Sequence, residues 1–237
     1  MHGGKIVDKD ITKNGKVIVI EGCDGSGKAT QTKKLFDRLI SEGYNVKKVE
    51  YPNYKSDSSA LVKMYLNGDF GSNPSDINPY AASSFYAVDR YASFKIEWEN
   101  FYNEGGIIIA DRYTTANMIH QASKISNEVH REEFLEWLWD YEFVKFGLPI
   151  PECVIFLDVD PSYSKELIEN RANKINGFDD KDIHEKDSEY LLNSYYNSCK
   201  IADKYGWKRI NCIHSGELRK IDEIHKEIHS FIVGNVL

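Results

Sequence analysis

The chain has 237 residues, 41% of them hydrophobic, enough for one well-buried core with a lobe or lid attached and too few for two ordinary domains. Its formal net charge of -7 excludes a general affinity for nucleic acid polymers or anionic membrane, because no overall positive field would draw phosphate backbones in. Any basic residue that binds phosphate must therefore be locally focused.

The four cysteines, Cys23, Cys153, Cys199 and Cys212, are far apart, with no CxxC and no paired histidine spacing that would suggest zinc, and a reduced cytoplasmic setting fits them best. Residues 1–15 are polar and lack the apolar run of a signal peptide; they read as an N-terminal extension to a single domain over 16–237. No apolar stretch approaches the roughly 20 residues needed to cross a bilayer.

Lys16 to Ile20 is a β-branched run ending in Glu21-Gly22, the way a buried parallel strand meets a phosphate loop. A helix follows from Thr30 to Ile40, with Leu35, Phe36, Leu39 and Ile40 on one side and Gly43 as its left-handed terminator. Asn45 to Tyr51 reads as a second strand, and Asn78-Pro79 opens a long helix to Phe101, asparagine capping and proline losing no needed hydrogen bond. Ile107 to Ala110, Val154 to Leu157 and Arg209 to Ile213 are three more short apolar runs. Strands alternating with helices imply an α/β fold with a mostly parallel sheet and helices on both faces. Residues 173–186 are charged and poor in apolar side chains, and read as an exposed lid or loop.

Between the first strand and first helix lies EGCDGSGKAT, residues 21–30, where backbone N–H groups and the helix N-terminus can wrap a polyphosphate. Gly22, Cys23, Asp24, Gly25, Ser26, Gly27, Lys28, Ala29 and Thr30 form this nucleoside triphosphate loop, with Lys28 the point charge near the β and γ phosphates. The strict motif has Ser or Thr where this chain has Ala29, so the hydroxyl that ligates Mg²⁺ must be replaced by water, by Thr30 or by carboxylates; water is favoured. A glycine-rich turn with a surface lysine is the alternative, and the motif alone does not separate a kinase from an ATPase, a GTPase or an inactive binder.

Asp111-Arg112-Tyr113 follows the Ile107 to Ala110 strand, at the carboxyl edge where open α/β sheets bind ligands. Asp111 suits a Mg²⁺ shell and Arg112 a phosphate, unless the two form a structural ion pair. Tyr86 and Arg90 are four residues apart on a helix and share a face, offering an aromatic plane and a guanidinium; Asn117 and His120 share a face beyond Asp111.

Taken together, EGCDGSGKATQ, FYAVDRYAS, DRYTTANMIHQ, FGLPIPECVIFLDVDP and the later charged segment resemble the thymidylate kinase family in content, order and spacing, from about Lys16 to near the C-terminus. The resemblance implies the P-loop nucleoside monophosphate kinase fold: a five-stranded parallel sheet, helices on both faces and a short lid. It also implies a homodimer, ATP with Mg²⁺, and transfer of the γ-phosphoryl group to dTMP. By it Asp24 approaches the acceptor, Arg90 and Arg112 grip its phosphate, and Tyr86 stacks on the base. Asn117 and His120 meet the base edge and deoxyribose, Gln121 stands beside them, and Tyr51 lines the pocket. Arg171 is the lid arginine, while Ile183 occupies a position where a second would be expected, with Lys174 and Lys181 as substitutes. The acceptor phosphate is already mostly dianionic at neutral pH, so positioning and cationic charge, rather than a general base, carry the reaction. Another nucleoside monophosphate or deoxynucleoside kinase, or a nucleotide binder without turnover, is the alternative.

Overall fold

Residues 14–163, 183, 184 and 186–237 are described by a computed structural model. Five strands, β1 (Lys16–Gly22), β2 (Val46–Glu50), β3 (Ile107–Asp111), β4 (Cys153–Asp158) and β5 (Lys208–Asn211), form one sheet in the order β2-β3-β1-β4-β5. Every neighbouring pair in it is parallel. Side chains alternate across a strand, so β1 feeds two cores at once. Ile18 and Ile20 join Leu35, Leu39, Ile109, Ile155 and Leu157 on one face; Val17 and Val19 join Ile108, Ala110, Trp98 and Phe143 on the other.

Helices cover both faces. Helix α1 (Lys28–Ser41) buries Leu35 and Leu39 against the first core, where the C-terminal helix, Ile221–Asn235, adds Ile224, Ile228 and Ile232 at four-residue spacing. Ile40, expected on that buried side, is 49% exposed, because the 100° step carries it past the edge of the apolar stripe. Chain reversal after α1 uses Gly43 at φ 88, the left-handed terminator the sequence implies.

Helix α2 (Ala60–Asn67) precedes α3 (Pro79–Ser93), whose start is capped by the Asn78 side chain accepting from Tyr80 N at 2.8 Å. The long helix expected to reach Phe101 as one piece is divided. A π-helical turn, Phe94–Trp98, carries Phe94 and Trp98 into the core that holds Val17 and Val19, and α4 (Glu99–Asn103) completes it. Helix α5 (Thr114–His120) follows β3, α6 (Glu128–Trp139) ends in a second π-helical turn, Asp140–Lys145, and α7 (Ser188–Lys204) packs on α5. After β5 the chain makes a small hairpin, β6 (Ile213–His214) with β7 (Glu217–Leu218), before α8 (Ile221–Asn235). The last strand is thus shifted from the expected Arg209 to Ile213, Ile213 belonging to the hairpin.

Candidate active site

The parallel register brings the ends of β1, β2 and β3 to one edge, Ile20 and Glu50 both pairing with Asp111. Above it opens a cavity of about 500 Å³ lined by the loop after β1, by Asp111 and Arg112, and by Tyr86, Arg90, Asn117 and His120.

The loop after β1 is tightly built. A Cβ on Gly22 would lie 2.5 Å from Ser26 Oγ and 2.9 Å from Leu157 O, so only glycine lets the loop fold back on β4. Gly27 caps α1 at φ 87 without a side-chain bond, and no acidic residue stands in the first turn, which leaves the positive end of the helix open to an anion. Lys28 folds back, donating to Cys23 O at 2.8 Å with Asp24 at 3.8 Å. Burial, with the Arg112 charge beside it, lowers its pKa from near 10.5 to about 8.

Arg112 holds φ 66, a left-handed conformation uncommon for a residue with a Cβ, and its N–H donates to Ile20 O at 3.2 Å. From there its Nη2 donates to Asp24 and its Nη1 lies 3.0 Å from His120 Nε2. Burial and the Arg112 charge push the His120 pKa well below its ordinary value, so the ring is neutral and accepts this bond. Desolvation opposes the charge on Arg112, yet Asp24 and then Glu21 raise its pKa on balance.

The sequence-derived site residues separate into three groups. Asp24, Gly25, Ser26, Gly27, Lys28, Ala29, Thr30, Tyr86, Arg90, Asp111, Arg112, Asn117, His120 and Gln121 share the cavity wall. Gly22 and Cys23 lie beneath it: the Cys23 thiol turns to Ser198 Oγ at 3.9 Å, and burial raises its pKa to about 12. Tyr51 lines the wall, but its hydroxyl is turned into the core, donating to Ser93 Oγ at 3.2 Å and accepting from Trp98 Nε1 at 3.0 Å. Arg171, Lys174 and Lys181 lie outside the described residues, as does most of 173–186. Ile183 is buried beside Val62, Tyr65, Leu66 and Ala82, a core role in which an arginine would be desolvated. His184 next to it lies 2.9 Å from the Tyr65 hydroxyl, and burial followed by the Lys124 charge lowers its pKa to about 3.

Arg90, expected to grip the acceptor phosphate, lines the cavity with its Nε and Nη2 in a two-pronged ion pair with Glu142 at 2.7 and 2.5 Å, the two side chains being 1% and 0% exposed. Glu142 lies on the π-helical turn after α6, and sequence reasoning missed it because nothing in WLWDYEF separates a buried acid from a solvated one. Glu21 was missed as well. Fully buried, it accepts from Thr115 Oγ1 at 2.7 Å and Tyr113 N at 3.3 Å, and its pKa is raised by that burial. Cys212, Leu218, Arg219, Ile221 and Ile224 line the end of the cavity beside Thr30 and Gln31, and Gln31 Nε2 donates to Ile221 O at 3.0 Å.

The donor set suits a hard cation shared with a polyphosphate. Among the described residues no cluster of three or more His, Cys, Asp or Glu could cage a metal by itself. Mg²⁺ is characteristically held by one or two carboxylates with water and phosphate oxygens, and Asp111 and Asp24, both on the cavity wall, supply that number. Ser26 Oγ, buried and without a hydrogen-bond partner, is a polar group the loop leaves for an anion to satisfy.

Comparison with known proteins agrees with this geometry. The profile described as Thymidylate kinase matches residues 20–217. The thymidylate kinase of Mycobacterium tuberculosis is 28% identical over 174 residues, covering 73% of this chain and 79% of that protein. A probable thymidylate kinase of Methanosphaera stadtmanae is 31% identical over 176 residues, 74% of this chain and 81% of that one. The solved structure of thymidylate kinase from Candida albicans superposes with a TM-score of 0.70 at 19% identity, over 94% of this chain and 92% of the other, and shares the fold. With its sheet order, its phosphate loop and a family match across most of its length, the chain belongs to the thymidylate kinase family.

Proposed function

We propose that the protein transfers the γ-phosphoryl group of ATP to dTMP, giving dTDP and ADP for dTTP synthesis. The observation that carries this reading is one cavity whose wall holds both an open helix N-terminus with Lys28 and the side chains of Arg112, Asn117, Tyr86 and His120. The triphosphate lies on the backbone N–H groups of residues 24–30 with Lys28 at its β and γ phosphates. Its base extends toward Cys212, Leu218 and Arg219. Arg112, held over the loop by Asp24 and His120, meets the acceptor phosphate and brings the anionic nucleophile to a polyanionic donor. Tyr86 and Asn117 receive the base, with Arg90 beside them, and His120 and Gln121 flank the sugar. Arg171 supplies the lid charge. Asp111 and Asp24, with water in place of the hydroxyl Ala29 lacks, would hold Mg²⁺, which would supply positive charge against the polyphosphate.

Residues 16–237 form one catalytic unit behind the extension 1–15, and the active form is a cytoplasmic homodimer. Exposed Val88 and Tyr91 on α3 and Ile96 beyond them form an apolar outer face that supports the dimer; no described helix is long and apolar enough to cross a membrane. Light scattering on the purified protein checks the assembly, and a monomer at micromolar concentration would exclude it. The activity is tested by ADP release from ATP and Mg²⁺ with dTMP, dUMP, CMP, AMP or thymidine as acceptor. Preference for dTMP is expected. Preference for another monophosphate would retain the kinase and replace the base assignments, and ATP binding without any acceptor would establish a non-catalytic binder.

A further inference from the structure

Glu142 is a fully buried charged group that the phosphoryl transfer leaves without a task. Its two carboxylate oxygens accept four hydrogen bonds: from Arg90 Nε at 2.7 Å, Arg90 Nη2 at 2.5 Å, Thr114 Oγ1 at 2.7 Å and Asn117 Nδ2 at 3.2 Å. A carboxylate has about four lone-pair sites, so its capacity is filled. Three elements, α3, α5 and the π-helical turn after α6, are thereby joined at one buried point.

The consequence falls on Asn117. Its Nδ2 donates to Ser83 O at 3.2 Å as well as to Glu142 at 3.2 Å. Two acceptors converging on one terminal atom fix that atom as the NH₂ group, whatever rotamer the amide would prefer alone. Both donors are then used within the protein. The side-chain carbonyl oxygen is what Asn117 retains for a ligand in the cavity it lines. Arg90 beside it has Nη1 on Tyr113 O at 3.3 Å and, with Nε and one Nη2 proton committed to Glu142, keeps N–H donors but no acceptor. The two residues thus show an acceptor next to a donor.

We propose that Glu142 is the positioning residue for acceptor-base selection: it sets the polarity of Asn117 and Arg90 so that the site takes a pyrimidine with a ring N–H next to a carbonyl and rejects cytosine. The inference rests on the acceptor site described above. Thymine and uracil present N3–H beside a carbonyl oxygen, which complements this pair. Cytosine presents a bare N3 beside an amino group, opposed to it at both points, and a site built to hydrogen-bond one pattern rejects the other strongly because its buried groups are left unpaired.

Calorimetric binding of dTMP, dUMP and dCMP to the full chain without ATP, alongside kcat and KM for each acceptor, tests this. Glu142→Gln keeps the volume but sets an NH₂ among four donors, so at least one of the bonds that hold Arg90 and Asn117 in place becomes an opposed pair of donors. The expected result is that the dTMP-to-dCMP ratio in kcat/KM falls by about tenfold or more, through the acceptor KM, with the ATP KM unchanged. A merely structural role would lower stability and both acceptors together, and an unchanged ratio in folded Glu142→Gln would overturn the proposal. Should that variant fail to fold, Asn117→Ala leaves the Arg90 pair intact and must lose the same discrimination; full retention there would overturn it equally. A wild type that binds dCMP as tightly as dTMP refutes the Glu142 inference whatever the turnover. A wild type that binds dTMP selectively yet transfers nothing refutes the kinase reading, and the ratio of affinities in the variants then decides the role of Glu142.

Discussion

Lys28 offers a quantitative test of the donor site, because the loop holds it at an unusual proton affinity before any nucleotide arrives. Burial first, and the Arg112 charge second, lower its pKa to about 8 from near 10.5. A triphosphate placed against its Nζ supplies negative charge and restores the ordinary affinity for a proton. Binding then draws in a proton wherever the free protein has lost one: about half a proton at pH 8 and about nine tenths at pH 9. The affinity for ATP falls about tenfold between neutral pH and pH 9, roughly 1.4 kcal/mol. Titration calorimetry in two buffers of different ionisation enthalpy reads the uptake directly, above the pH at which ATP itself still titrates. Lys28→Met should weaken binding and abolish the dependence on buffer. Heats that match in both buffers at pH 8 and 9 would show that Lys28 is already fully charged or does not meet the phosphates, and would remove it from the donor site. The same shift has a second reading. Since the unfolded chain binds the extra proton between about 8 and 10.5, this group makes the ligand-free protein more stable as pH rises through that window.

Other expectations follow from the same geometry. Glu142→Ala leaves Arg90 buried without its partner, which costs about 3–5 kcal/mol, and a thermal melt should fall by roughly 6–20 °C; a loss under about 1 kcal/mol would mean water reaches the pair. Arg112→Met removes a charge-assisted contact to the acceptor phosphate and should raise the acceptor KM by about ten- to hundredfold, from roughly 1.5–3 kcal/mol, with little change for ATP. An unaltered acceptor KM would take Arg112 out of the phosphate site. Ala29→Ser restores a hydroxyl at the end of the loop and should lower the Mg²⁺ concentration for half-maximal rate a few-fold. If the requirement does not move, carboxylates and water already complete the shell.

Much of the fold was legible because buried parallel strands announce themselves as apolar runs: Lys16 to Ile20 and Ile107 to Ala110 each lie within an observed strand. Asn78-Pro79 marked a helix start by local chemistry alone, and the Asn78 side chain does cap it. Helix periodicity was less decisive at its margins, as Ile40 shows, since one residue past the stripe turns to solvent. The phosphate loop could be read because its turns demand glycines in sequence, and Asp111-Arg112 because the pair follows an apolar strand at its carboxyl end. What escaped was the network assembled from distant segments. Glu142 meets Arg90 across 52 residues, and Glu21 meets Thr115 across 94, so no local pattern signals either pairing. Arg90 was legible as a cation at the site, while the acid that holds it was not.

Glu21 gives the site a mechanical unity that separates what can be altered in it from what cannot. Its carboxyl group lies under the junction of two loops, receiving bonds from Tyr113 N and Thr115 Oγ1 on one side while its own backbone begins the phosphate loop on the other. A shift of either loop is therefore felt by the other through a single rigid hub. Tyr86, by contrast, projects into the cavity from a helix, whereas His120 bonds Arg112 and so belongs with the second loop. For re-engineering the acceptor range, that helix-borne wall is the exchangeable part, and the hub beneath it is the chassis.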